Sequence, residues 1–200
     1  MVKKFLFKDR DGRTPLPEEF LSELIPKHIK TSGELDEVEE ENIADGLVWL
    51  EDYKGKYLDY SFWNRLHKKL FGKVWKWAGK FRTHELSIPD FNHPGYIPEN
   101  IRKLEENLVY WLENKTYSDE KELVARFHEQ FLTIHPYANG NGRASRILAE
   151  HICKRENFQI PAWGLCLKSD PKRHRTSYLN AISEARHQSS YKELIEFMYS

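Results

Sequence analysis

His135-Pro136-Tyr137-Ala138-Asn139-Gly140-Asn141-Gly142-Arg143, continued by Ala144-Ser145-Arg146, decides how the chain reads. Leu123, Val124, Phe127, Phe131 and Ile134 lead into it at helical spacing, and Ile147, Leu148 and Ile152 lead out on a second helix. Between them lie two glycines and two asparagines, the residues that tolerate positive φ. A tight loop that opens directly into a helix leaves backbone N–H groups unpaired at the helix start. With the helix dipole, those groups attract an anion. Arg143 and Arg146 stand three apart in the first turns, so both guanidinium groups can face one anion. His135 at the loop entry is a base suited to neutral pH. The stretch reads as a phosphate cradle with a base beside it.

The same stretch resembles the Fic (Fido) motif, His-Pro-Phe-x-acid-Gly-Asn-Gly-Arg followed by x-x-Arg. All specified positions match except Tyr137, a mild change for Phe, and Asn139, which stands where the family has Asp or Glu. The resemblance implies an all-α fold, a Fic-type helical bundle with a short β-hairpin flap beside the active site. It implies transfer of AMP from ATP to a Ser, Thr or Tyr hydroxyl of a target protein, with His135 taking the hydroxyl proton. By position, Gly140, Asn141 and Gly142 supply the anion hole, with the Asn141 side chain orienting the α-phosphate. Arg143 then holds the β-phosphate and Arg146 the γ-phosphate. Mg²⁺ or Mn²⁺ is expected at position 139, but an amide oxygen attracts a hard dication much less than a carboxylate does. Overall, the chain is also similar to a short subgroup of the family called mobile mystery protein B.

Composition frames this reading. Two hundred residues fit one domain and bury roughly 70% of the unfolded surface. Six Trp, ten Tyr and eleven Phe argue for a real core. Lys plus Arg equals Asp plus Glu, 31 each, which argues against broad attraction to nucleic acid or membrane. No apolar run reaches the ~18 residues of a membrane helix, and residues 1–11 hold no apolar run of the length expected of a signal peptide. Cys153 and Cys166 lack metal-ligand spacing, so a reducing, cytoplasmic setting is expected.

Along the chain, residues 1–57 read as an N-terminal extension and 58–200 as the Fic core of one compact domain. Pro17 opens an expected helix with Phe20, Leu21, Leu24 and Ile25 on one face, ending near Pro26. A second helix runs from about Ser32-Gly33 to Asp52, its start crowded with acids as the dipole favours. The resemblance implies that an inhibitory glutamate on this helix pairs with the last motif arginine. Neither Ser32-Gly33-Glu34-Leu35-Asp36-Glu37 nor Glu41-Asn42 fits its pattern fully, so Asp36, Glu37 and Glu41 stay open as candidates. Tyr60–Phe71 is a third helix. Trp75-Lys76-Trp77-Ala78-Gly79-Lys80-Phe81-Arg82 resembles the segment before the Fic flap, with both tryptophans as core anchors. Residues 81–97 break the helical pattern and suggest an irregular hairpin, the expected docking place for a target protein by strand addition. His84 and His93 lie there as exposed loop histidines. Pro98 starts the next helix, Ser118 caps the one that delivers His135, and His128 on that helix is assigned to packing or hydrogen bonding. Asp170-Pro171 and a Ser190–Glu193 capping box start the last two helices.

Two other classes compete. Asn139 permits a nucleotide binder with little turnover, or a different phosphate-bearing donor. An all-helical regulatory or DNA-binding module is disfavoured by zero net charge, with Lys172-Arg173-His174-Arg175 as the densest basic cluster.

Overall fold

Capping chemistry fixes where most helices begin. In a computed structural model, residues 22–86, 91–117 and 119–200 are described. Their α-helices are α1 (Ser32–Glu51), α2 (Tyr60–Phe71), α3 (Ile97–Asn114), α4 (Glu120–Ile134), α5 (Asn141–Glu156), α6 (Pro171–Gln188) and α7 (Lys192–Met198). Thr31 caps α1 reciprocally: its hydroxyl accepts from the Glu34 N–H, and the Glu34 carboxylate accepts from the Thr31 N–H. Asp59, Asp119 and Asp170 cap α2, α4 and α6. Ser118 lies outside the described residues. No side-chain hydrogen bond caps α7, so the expected Ser190–Glu193 box does not form; the helix starts after Tyr191 on backbone bonds alone.

The core is organised around α2. Phe62, Trp63, Leu66, Leu70 and Phe71 are all at most 1% exposed, and α2 packs against α1, α3 and α5. The Trp63 ring meets Phe127 and Phe131 of α4 edge-on at 5.4 and 6.1 Å. Trp75 and Trp77 stack with each other inside the core, as anchors.

Helix α1 docks closely on α2. A Cβ added at Gly46 would lie 2.9 Å from Leu70 Cδ2 and 3.1 Å from Leu70 Cα, so the backbones touch where no side chain fits. Four residues earlier, the buried Asn42 amide donates to the Lys69 carbonyl and accepts from the Lys73 N–H, both at 2.9 Å. Asn42 thereby satisfies backbone groups that the end of α2 leaves unpaired.

Two expectations change. The described part of the helix expected after Pro17 is turns, with Leu24 bridging Trp75; Phe20 and Leu21 lie outside the described residues. The described residues of 81–97 contain no strand, only the 3-10 turn Pro94–Tyr96, and 87–90 lie outside. A side chain does the work of a strand ladder: the Arg82 guanidinium donates to the carbonyls of His84 and Asn92, joining the two arms.

Replacing Asn42 by Ala strands a donor and an acceptor of Lys73 and Lys69. Unfolding by urea is expected to show a loss of about 1–3 kcal/mol, and an unchanged midpoint would rule out the capping role.

Candidate active site

The loop between α4 and α5 must reverse direction within a few buried residues, and three devices make that possible. His135 closes α4 in the left-handed region (φ 48). Gly140 takes φ +78, and a Cβ there would strike the Phe71 ring at 2.7 Å. The Asn141 amide then clasps Tyr137, accepting from its N–H at 2.9 Å and donating to its carbonyl at 2.8 Å. The Asn141 side chain thus braces the loop through Oδ1 and one of its two Nδ2 hydrogens. Tyr137 is fully buried and donates from its hydroxyl to Asn64.

His67 holds the outside of the loop. Its Nδ1 accepts from the Gly79 N–H at 2.9 Å, so its Nε2 carries the proton and donates to the Asn139 carbonyl at 3.0 Å. The ring also stacks on Tyr137 at 3.7 Å. Burial first, then the Arg143 charge, pushes its pKa down to about 3.

His135 is similarly held neutral. Its Nδ1 faces the Leu132 carbonyl at 3.3 Å, which can only accept, so the lone pair lies on Nε2. That Nε2 is buried and has no hydrogen-bond partner among the described residues. Burial, followed by the Arg82 charge, lowers its pKa to about 3. Phe91 covers the imidazole in a stack at 3.7 Å and 17°. Arg82, itself buried, donates from Nε to the His135 carbonyl at 2.7 Å, while its backbone N–H reaches the Pro136 carbonyl at 2.8 Å. The segment with Phe91 and the backbone of His135 therefore hang from one guanidinium.

On the other side of the loop, no side chain caps α5. The space at Gly142 is open, with Arg146 Nη1 the nearest atom to an added Cβ at 3.8 Å. The helix start, Gly142 and Arg146 thus border one space that suits an anion. Arg146 also lies over the Tyr178 ring and lines a cavity of about 1210 Å³ walled by Trp163, His174, Arg175, Tyr178 and Phe197. His128 packs in that neighbourhood, buried and bonded to the Tyr178 hydroxyl at 2.9 Å; burial and the Arg146 charge lower it to about 3.

Asn139 is a weak ligand for a metal ion. Its Oδ1 accepts from the Gly140 N–H at 2.5 Å, and what remains is neutral. Arg143 lies over the Phe71 ring at 4.6 Å and donates from Nη1 to a carboxylate at 2.8 Å. That carboxylate is Glu39, not Asp36, Glu37 or Glu41. Glu37 and Glu41 are exposed and Asp36 is half-buried, because the docked face of α1 is Leu35, Glu39, Asn42, Gly46 and Leu50. Trp75 Nε1 donates to the other Glu39 oxygen at 2.7 Å. His84 and His93 are exposed, and His93 pairs with Glu85 at 3.0 Å.

Four residues of this arrangement are absent from the expected site: Glu39, His67, Arg82 and Phe91. Spacing could have found Glu39, since positions 35, 39, 42, 46 and 50 form one helical face. Nothing local distinguishes His67.

His67, His128 and His135 are neutral in the fold and titrate near 6.5 once unfolded. As pH falls through 6.5, the unfolded chain binds protons that the folded chain refuses, so stability is present above that pH and lost below it. The loss approaches about 4 kcal/mol per pH unit for the three together. The urea midpoint is expected to be flat from pH 8 to 7 and to drop steeply from 6 to 5; a flat response throughout would mean these rings are charged in the fold.

The Fic/DOC family model matches residues 57–153. A probable protein adenylyltransferase of Sinorhizobium fredii is 25% identical over 132 residues, 63% of this chain and 66% of that protein. A protein adenylyltransferase of Caenorhabditis elegans is 32% identical over 85 residues, 40% of this chain and 16% of that protein. The chain therefore spans less than two thirds of the length of these relatives. The N-terminal Fic domain of a VirB-translocated Bep effector from Bartonella quintana superposes with a TM-score of 0.69 at 18% identity, covering 86% of this chain and 84% of that one. BepC of Bartonella tribocorum, solved with bound AMPPNP, gives 0.65 at 18% identity over 86% and 87%. These structures share the fold, and the stretch that matches the Fic/DOC family model, residues 57–153, contains the loop whose geometry is described above.

Proposed function

We propose that the chain is a protein adenylyltransferase that moves AMP from ATP to a hydroxyl side chain of another protein. One observation carries the reading: a buried imidazole with its Nε2 lone pair unengaged, at the head of a loop whose far side is an uncapped helix start with two arginines. The hydroxyl of the target gives its proton to Nε2 of His135 as its oxygen attacks the α-phosphorus. The bond from that phosphorus to the bridging oxygen breaks, and pyrophosphate leaves toward Arg143 and Arg146. Backbone N–H groups at the start of α5 stabilise charge on the α-phosphoryl oxygens. As the fold holds it, His135 is a weak base. A triphosphate brings negative charge beside it, offsetting the Arg82 and Arg186 charges that depress it. BepC, with AMPPNP bound on the same fold, supports nucleotide as the ligand.

The target docks at residues 81–97, and Phe91 must leave the imidazole for a hydroxyl to reach Nε2. Asn139 favours a second reading, a nucleotide binder with little turnover, because the loop offers no carboxylate there. Cytoplasmic placement remains part of this proposal; among the described residues no helix is long and apolar enough to cross a membrane.

Lysate proteins incubated with ATP labelled at the α-phosphate separate the readings. Wild type is expected to label a protein band, and His135→Ala to lower labelling by about 10²-fold or more. Label from Asn139→Asp alone would establish the weak-turnover reading. No label from any variant would refute adenylyl transfer.

A further inference from the structure

We infer that Glu39 is a positioning residue for Arg143: it aims the guanidinium at the phosphate site and does not close that site. The inference rests on the nucleotide-binding reading above and gives α1 a role opposite to the inhibition that the motif resemblance implied.

Four observations support it. Glu39 is buried, with its side chain 5% exposed, so it lies behind Arg143 and not in the open space at Gly142. It is held from a second side by Trp75, which is only 2% exposed, and so has no room to swing away during each turnover. Its helix is fastened to α2 at Gly46 and through both polar ends of the Asn42 amide, so withdrawal of α1 would break the core. Finally, Arg143 remains able to bind. A guanidinium has five N–H donors, Glu39 engages Nη1, and the side chain is 22% exposed. Arg146, the arginine that inhibition would need to block, has no carboxylate partner among the described residues; it lies against Tyr178.

Charge and geometry explain why a carboxylate is needed. One Glu39 oxygen accepts from Trp75 and the other from Arg143, so each oxygen meets a donor. A glutamine at this position turns an NH₂ group toward one of the donors and loses a charge-assisted bond. The flexible arginine then samples rotamers that do not face the phosphate, which costs affinity only for ligands that reach it.

Calorimetric titration of the full chain with AMP and with ADP tests this. By its place in the motif Arg143 meets the β-phosphate, which AMP lacks. Glu39→Gln is expected to weaken ADP about tenfold and leave AMP within about twofold. Trp75→Phe, which keeps the ring and removes the donor, is expected to weaken ADP to a lesser degree. Glu41→Gln on the exposed face is expected to change neither. Tighter ADP binding by Glu39→Gln would establish inhibition and overturn the proposal. So would unchanged ADP binding, equal loss for AMP, or an equal effect of Glu41→Gln. If wild type binds neither nucleotide, the function proposed above fails, and the Arg143 Nε–H resonance decides this point separately. A sharp signal in wild type that broadens in Glu39→Gln sustains positioning; identical signals in the two overturn it.

Discussion

The two hydrogen bonds between the Asn141 amide and the backbone of Tyr137 are the constraint on which the site depends. A helix that ends and another that begins within six residues leave carbonyls and N–H groups unpaired at both ends. Around Tyr137 these groups are buried, where an unmet donor or acceptor costs about 1–3 kcal/mol. Asn141 meets one of each with a single side chain, as Asn42 does at the end of α2. Because the side chains and core carry the loop, the N–H groups at the start of α5 need no side-chain cap and remain open to an anion. The loop is braced from behind so that its front can be left unsatisfied.

The same division runs through the histidines. His67 spends both ring nitrogens on structure and is fixed in one tautomer by Gly79. His135 spends only Nδ1 and keeps Nε2. Both are buried, so both are neutral, yet only one can accept a proton from a substrate. The chemical identity of the two residues is the same, and what separates them is the count of polar neighbours within reach.

This explains what was legible in the sequence. Helix bounds such as Tyr60–Phe71 follow from periodicity and local caps, which are short-range. The motif loop is also local, and its glycine at φ +78 is a requirement of the chain itself. The residues that escaped act over long sequence distances: Glu39 meets Arg143 from 104 positions away, His67 meets Asn139 from 72, and Arg82 meets His135 from 53. No local rule predicts such meetings. The acidic run at the start of α1 hid Glu39 in particular, since neighbouring carboxylates share its composition and only the phase of the helix distinguishes them. The described residues of 81–97 form no strand ladder for a related reason. Proline and glycine do mark an irregular segment, but a buried arginine binding the carbonyls of His84 and Asn92 removes the need for a ladder.

Arg82 also ties access to chemistry. Its guanidinium reaches both arms of the segment that carries Phe91, and its Nε reaches the carbonyl of His135. A target that displaces Phe91 must move backbone fastened to the same group that fixes the base. The charge of Arg82 is one of the causes that keep the imidazole unprotonated. Any shift of Arg82 toward solvent would weaken that effect and raise the basicity of Nε2. The ring that covers the imidazole and the backbone that carries the imidazole are thus held by one side chain. With Phe91 stacked on it, the imidazole is covered on one face while its Nε2 stays without a hydrogen-bond partner among the described residues.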